Sequence, residues 1–461
     1  MQSSASPSSS GTPRWSSQLA FYLGSAGAAV GLGSIWRFPY LAGSGGGSAF
    51  IIVFVAACLF IATPLLVAEF AMGRKSRRSP PEAAGACANE FGLSSRWNII
   101  GVLGAASAFL LVSYYTVIAG WTMAYAWKSA AGVLVEAGPR GVGQVWREFL
   151  SRPLEVGFWH VLFMLLLAMI SARGLHRGIE FANRIRGPGL LILLCILVTY
   201  ALITGDVPHG LRFAFEPDMS ALNSQVILTA IGQAFYATGV GQAMMIAYGA
   251  YVVPGTSLVR TSLIITAAIL VVSLLATLLV FPLVFAYGMD PAQGPALVFE
   301  VLPRAFAEMP AGRAVGTLFF LLLVLAALMP SVALLEPSVA WLVQKRGLSR
   351  KAAAWSTTGA AWLLGLGSVM SFNLLSNWHP LALLKHFEKM TFFGVMDYVS
   401  SDILLPVGAL LTSILVGWRI SGILVDTEAA GTTALSQRAC IWLLRYICPV
   451  AIAAIFIATL V

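Results

Sequence analysis

The stretch AAVGLGSIWRFPY (28–40) begins as the middle of a membrane helix would, then sets Gly31, Gly33 and Arg37 where an unbroken helix ought to run. Around it the chain is 58% hydrophobic and only 10% charged over 461 residues, against about 25% charged in a soluble domain. Apolar runs of about 20 residues recur along almost the whole length, separated by polar gaps mostly too short to fold alone. This pattern implies one all-α integral membrane domain whose main partner is the lipid bilayer.

Spans are expected near 18–42, 46–73, 98–128, 158–173, 183–204, 224–251, 258–287, 313–343, 352–372, 391–419 and 438–460, eleven in all. The Ser/Pro-rich residues 1–14 read as a disordered cytoplasmic tail, and 15–461 as the membrane domain. The basic stretches GRKSRRSP, ARGLHRGIEFANRIRG and QKRGLSRK fall on one side of this arrangement. An excess of Lys and Arg marks cytoplasmic loops, so the N-terminus is expected inside a cell membrane and the C-terminus outside. The net charge of +9 therefore reflects topology, and no nucleic-acid partner is expected.

A second helix repeats the defect of the first. In AIGQAFYATGVGQAMM (230–245), Gly239 and Gly241 flank one residue as Gly31 and Gly33 do. Each glycine costs a helix interior about 1 kcal/mol relative to alanine. Close helix packing is one use for such pairs. Their recurrence five spans apart points instead to two unwound helices at a midplane site, a pattern known from transporters built on inverted repeats. The freed amides and carbonyls need partners that lipid cannot supply, and a polar solute can be that partner. Arg37, too costly to face lipid at depth, is expected to line a vestibule.

With GAAVGLGSIWRFPY, GSGGGSAFIIVF, PLLVAEFAMGR, GQAFYATGVG and ALLEPSVAWL in this order, the chain resembles the neurotransmitter:sodium symporter family over residues 14–461. The resemblance implies two inverted five-helix repeats, about 18–204 and 224–419, with an extra helix at about 438–460. It implies a secondary transporter of amino acids or related small amines working by alternating access, with sodium and chloride as the associated ions and no other cofactor. On the positions that match, the substrate site comprises Ala29, Leu32, Gly33, Leu111, Tyr115, Tyr236, Gly239, Gln242, Pro330 and Leu334. Arg37 and Asp397 match an outer gate pair; Trp15, Tyr251 and Glu336 match the inner gate, where an expected acidic residue is Gln344.

The ion positions depart from the family pattern. One sodium site has Ser34 where an asparagine is expected, Ala237 where a hydroxyl residue is expected and Ile269 where a second asparagine is expected; the other has Met329 and Pro330 in place of two hydroxyl residues. Carbonyls of Gly27, Ala29, Val30 and Ala326 remain as oxygen donors, with Thr238 and Ser331 as neighbouring hydroxyls, because hard cations require several oxygens. Gln233 and Ser273 match the chloride position, while Phe54 stands where a tyrosine is expected. Two readings follow: a carrier of a zwitterion whose coupling to sodium is weak, absent or replaced by protons, or a non-transporting substrate sensor or regulatory subunit. Glu69 and Glu336 are the ionisable candidates within spans, and no lysine stands in the middle of the fifth, PGLLILLCILVTYALI.

An enzyme is not indicated. His160, His176, His209, His379 and His386 are dispersed, with no nucleophile, metal pair or phosphate loop nearby. Cys58, Cys87, Cys195, Cys440 and Cys448 stand singly and read as small core residues.

Overall fold

A computed structural model describes residues 13–291, 297–425 and 434–460; most of the tail expected at 1–14 lies outside them. Among the described residues the chain is helical, without strands. The long helices are α1 (Gln18–Ala29 with Gly33–Ser44), α2 (Ser48–Ser76), α3 (Ser95–Ala130), α4 (Pro153–Ala172), α5 (Leu175–Thr204), α6 (Ser224–Thr238 with Met244–Ala250), α7 (Leu258–Ala286), α8 (Gly312–Arg346), α9 (Arg350–Met370), α10 (Phe392–Arg419) and α11 (Ala434–Ala458). Eight of these are long and apolar enough to cross a membrane, and α1 is a ninth, bent by 51° at its break. The two remaining, α6 and α9, occupy the positions of expected spans, so the described helices are consistent with eleven.

Burial sorts the helices into layers. Most of α3 and α8 is enclosed by protein, whereas α5 and α11 expose most of their apolar windows. On α5, Ile185, Ile192, Ile196 and Ile203 are exposed, which water would not tolerate as a row but hydrocarbon does. The core lies where α1, α3, α6 and α8 meet. The 35 residues of α8 extend about 52 Å at 1.5 Å per residue, enough to pass through the membrane and beyond.

The ends of the spans show how sequence stops them. α8 ends on Lys345 and Arg346 followed by Gly347 in the left-handed region at φ 66°, the usual glycine stop with cations at the negative end of the helix dipole. α2 ends on Arg77, itself left-handed, and its guanidinium donates to the carbonyls of Ala250 at 2.9 Å and Val252 at 2.8 Å. The basic end of α2 thereby fixes the end of α6. The connections carry structure too: Pro80–Glu90, Val133–Ser151 and Leu302–Glu308 are helices. Cys195 departs from the expectation of core cysteines: it is exposed on α5, while the other four are buried and unpaired.

Candidate functional site

The two breaks use glycine differently. In α1 the helix stops at Ala29, Val30 turns extended, and the chain resumes as a wide helical turn over Gly33–Arg37. Neither Gly31 nor Gly33 has a positive φ; what they supply is closeness. A methyl on Gly31 would lie 2.7 Å from the Pro330 ring, and one on Gly33 would lie 3.0 Å from the Tyr236 ring. In α6, by contrast, Gly239 and Gly241 stand at φ 67° and 85°, with Ala243 at 57°. These are conformations that glycine adopts freely and that strain alanine.

The freed backbone groups find partners. The Leu32 amide donates to the Tyr115 hydroxyl at 3.2 Å, and the Gly33 carbonyl accepts from Gln233 at 2.7 Å. The Gly241 amide donates to a Glu69 carboxylate oxygen at 2.6 Å, so this buried acid closes the second break, as an unwound segment in lipid requires.

Where the breaks cross, Ala28, Ala29, Gly31, Gly33, Leu111, Tyr115, Tyr236, Ala237, Gln242, Met244, Pro330 and Leu334 enclose a cavity of about 30 Å³. Eight of the ten expected substrate positions line it; Leu32 and Gly239 lie in the adjoining backbone. Small residues on the α1 side face apolar ones from α3 and α8, and the polar tips are the two tyrosine hydroxyls and the Gln242 amide. Met244 is a lining residue that sequence reasoning missed, since it follows the break rather than forming it.

Outward of the cavity, Arg37 lies over the Tyr236 ring, 4.2 Å from its centre. Arg37 and Asp397 both line an aromatic vestibule of about 340 Å³ with Trp36, Tyr40 and Phe299. They are not in ion-pair contact as expected. Asp397 instead accepts from Tyr114 at 2.8 Å and from Ser401 at 3.3 Å, while the guanidinium is held by the aromatic face. A second vestibule, about 410 Å³, opens beside Arg37, Tyr236 and Asp402.

On the opposite side the closure is polar and tight. The Trp15 amide donates to the Tyr251 carbonyl at 2.9 Å, and its indole to the Tyr248 carbonyl at 3.3 Å. Tyr251 donates its hydroxyl to Glu336 at 2.8 Å, bringing the three expected inner residues together. Sequence reasoning missed Arg350, which meets both oxygens of Glu336 at 2.6 Å. Gln344 accepts from the Ser79 amide at 2.5 Å.

The expected sodium oxygens are engaged by a side chain. Arg186, on α5, donates through Nε to the Leu325 carbonyl at 2.8 Å, through Nη1 to Gly27 at 3.2 Å, and through Nη2 to Val30 and, at 3.3 Å, to Ala326. Three carbonyls expected to face an ion thus face a guanidinium. Met329 and Pro330 beside them offer no oxygen side chain, so the residues at this crossing do not fit sodium. At the other expected sodium position Ala237 and Ile269 are buried and apolar, and the Ser34 hydroxyl is buried without a partner among the described residues. Thr238 and Ser331 donate to carbonyls of their own helices at 2.7 and 2.8 Å. At the position expected for chloride the Gln233 amide donates to the Gly33 carbonyl, and the Ser273 hydroxyl is buried without a partner among the described residues.

Comparison with known proteins gives a consistent result. A family model described as the sodium:neurotransmitter symporter family matches residues 12–137 and 153–461. An uncharacterised sodium-dependent transporter of Bacillus subtilis is 33% identical over 447 residues, covering 96% of this chain and 97% of its own. The bovine sodium-dependent neutral amino acid transporter B(0)AT2 is 29% identical over 306 residues, 58% of this chain and 40% of its own. Among solved structures, MhsT in complex with L-phenylalanine superposes with a TM-score of 0.88 at 36% identity, covering 97% of this chain and 99% of that one.

Proposed function

We propose that this chain, which belongs to the sodium:neurotransmitter symporter family, carries a neutral α-amino acid or a related small amine across a cell membrane by alternating access. It is a multi-pass membrane protein of a transporter family and not an enzyme. The observation that carries the reading is the cavity at the crossing of the two broken helices, where the Leu32 amide and the Tyr115 hydroxyl meet. The substrate carboxylate takes the place between them, accepting from the amides of Leu32 and Gly33 and from the Tyr115 hydroxyl, as anions do at a helix N-terminus. The side chain lies among Leu111, Met244, Pro330 and Leu334, with Gln242 as its polar contact.

The relatives support an amino-acid substrate: one is named for neutral amino acids and another was solved with phenylalanine. A cavity of about 30 Å³ is too small for such a side chain unless the Tyr236 lid moves. Sodium coupling is weak or absent, because Ala237, Ile269, Met329 and Pro330 remove side-chain oxygens from both ion positions. The excess of Lys and Arg in the loops supports a cytoplasmic position for the face bearing Arg74, Arg77 and Arg350 and for the N-terminus, with the C-terminus outside. The repeats run over about 18–204 and 224–419.

The test is the melting temperature of the purified protein against a panel of amino acids and amines, in sodium chloride and in matched choline chloride. A ligand that binds only the folded state raises stability by mass action, by about 2.7 kcal/mol at a hundred times its Kd. A rise with neutral amino acids that Tyr115→Phe and Gly33→Leu abolish supports the assignment; a rise that both variants retain overturns it.

A further inference from the structure

Resting on the carrier reading, we propose that Arg186 is a resident cation at the α1–α8 crossing. Its guanidinium occupies the carbonyl cage that a sodium ion would otherwise take, so this crossing binds no sodium.

The argument starts from the backbone. A helix carbonyl at position i accepts from the amide of i+4, and three carbonyls here lack that donor for a covalent or conformational reason. Residue 330 is proline and has no N–H, which frees the Ala326 carbonyl. The helix stops at Ala29, which leaves Gly27 and Val30 without intrahelical donors. The substitution that puts Pro330 in α8 therefore does two things at once: it removes a hydroxyl that could bind an ion and exposes a carbonyl that needs a donor.

Arg186 answers this set. Four contacts from Nε, Nη1 and Nη2 reach two segments, the end of the first half of α1 and the middle of α8. The residue is 4% exposed, and no ion pair to it occurs among the described residues. A guanidinium stays charged and its planar fork suits several carbonyls at once. Capping the end of one helix would be the simpler role for a cation. Its bonds to Leu325 and Ala326, on a second helix and at membrane depth, go beyond that role. Asn183, one turn earlier on α5, donates to the Leu23 carbonyl at 2.6 Å, so two side chains on one face of α5 hold the first half of α1 in place. A charge tethered to α5 completes the site in every molecule, independent of the sodium concentration.

The experiment uses full-length purified protein without amino acid, so it reads separately from the carrier assignment. Saturable binding of radioactive sodium and the melting temperature in sodium, guanidinium and choline salts are measured for wild type, Arg186→Lys and Arg186→Ala. The expected result is no sodium-dependent rise in wild type or Arg186→Lys. Arg186→Ala gains one saturable sodium site per chain, and low-millimolar sodium or guanidinium, but not choline, raises its melting temperature. Sodium binding by wild type with the stoichiometry of Arg186→Ala would overturn the proposal, as would an Arg186→Ala protein indifferent to both cations. If Arg186→Ala does not fold, wild type and Arg186→Lys decide: a saturable sodium-dependent rise in either rejects the resident cation, and indifference in both upholds it. Failure of the whole amino-acid panel, with these sodium results intact, would reject the carrier reading alone.

Discussion

Arg350 meets Glu336 face on, Nη1 to one carboxylate oxygen and Nη2 to the other, each at 2.6 Å. Glu336 is fully buried and the arginine side chain is 24% exposed, so the pair joins the interior of α8 to the start of α9 beneath Tyr251. Removing one partner of a buried pair costs about 3–5 kcal/mol, mostly from the charge left behind. Glu336→Gln is expected to lower the melting temperature markedly, and Glu336→Leu combined with Arg350→Met to recover much of the loss. A double-mutant cycle on thermal or urea unfolding measures this coupling; additive single effects would contradict it.

A methyl at Gly31 would sit 2.7 Å from the Pro330 ring and 3.1 Å from the Tyr115 hydroxyl. Gly31→Ala is therefore expected to leave the protein folded but to weaken amino-acid binding at least tenfold, about 1.4 kcal/mol. Titration of ligand-induced tryptophan fluorescence or melting temperature reports it. Unchanged affinity would place the substrate elsewhere.

Two glycines of α6 separate conformational need from mere helix content. Gly241 is at φ 85° and a methyl there would lie 2.3 Å from the Leu405 carbonyl; at Gly232 a methyl would meet nothing within 4 Å. Gly241→Ala carries about 1–3 kcal/mol of backbone strain plus that clash and is expected to yield little folded protein. Gly232→Ala removes a helix-interior glycine and is expected to stabilise by up to about 1 kcal/mol. Size-exclusion profiles and melting temperatures of the two variants make the comparison.

The cysteines offer a check on packing. Cys195 is exposed on the outer face of α5, and the other four are buried. Burial pushes the Cys87 thiol, in the helix between α2 and α3, up to about 12, so its reactive thiolate is scarce at neutral pH and becomes populated only when pH approaches that value. Folded protein in detergent is expected to take up one equivalent of a membrane-permeant maleimide, at Cys195, and further equivalents only after denaturation. Mass spectrometry of the labelled chain counts them.

Much of this architecture was legible from periodic apolar runs and from two glycine pairs, because spans and breaks are local properties of sequence. Most of the residues that line the central cavity followed from motifs long enough to fix register. Arg186 and Arg350 were hidden for one shared reason. Both lie in basic stretches that count toward membrane orientation, and a count of charges does not say which of them turn inward. The available signal for Arg186 was its position: it falls one helical turn after Asn183 and just before Gly187 and Pro188, within the span expected at 183–204 rather than in the loop before it. The signal for its target was Pro330, read as a lost hydroxyl when it was equally a freed carbonyl. The Arg37–Asp397 pairing failed because motif matching assigns partners by identity, whereas Tyr236 and Tyr114 compete for the same two charges through space.

The contact between Arg37 and Tyr236 differs in kind from the closure on the opposite face. A cation over an aromatic ring is worth about 0.5–2 kcal/mol, whereas the opposite face is held by the two-pronged Arg350–Glu336 ion pair together with hydrogen bonds from Tyr251 and Trp15. Opening toward the aromatic vestibules requires Arg37 to leave one ring, whereas opening the opposite face requires α9 to unlatch from α8.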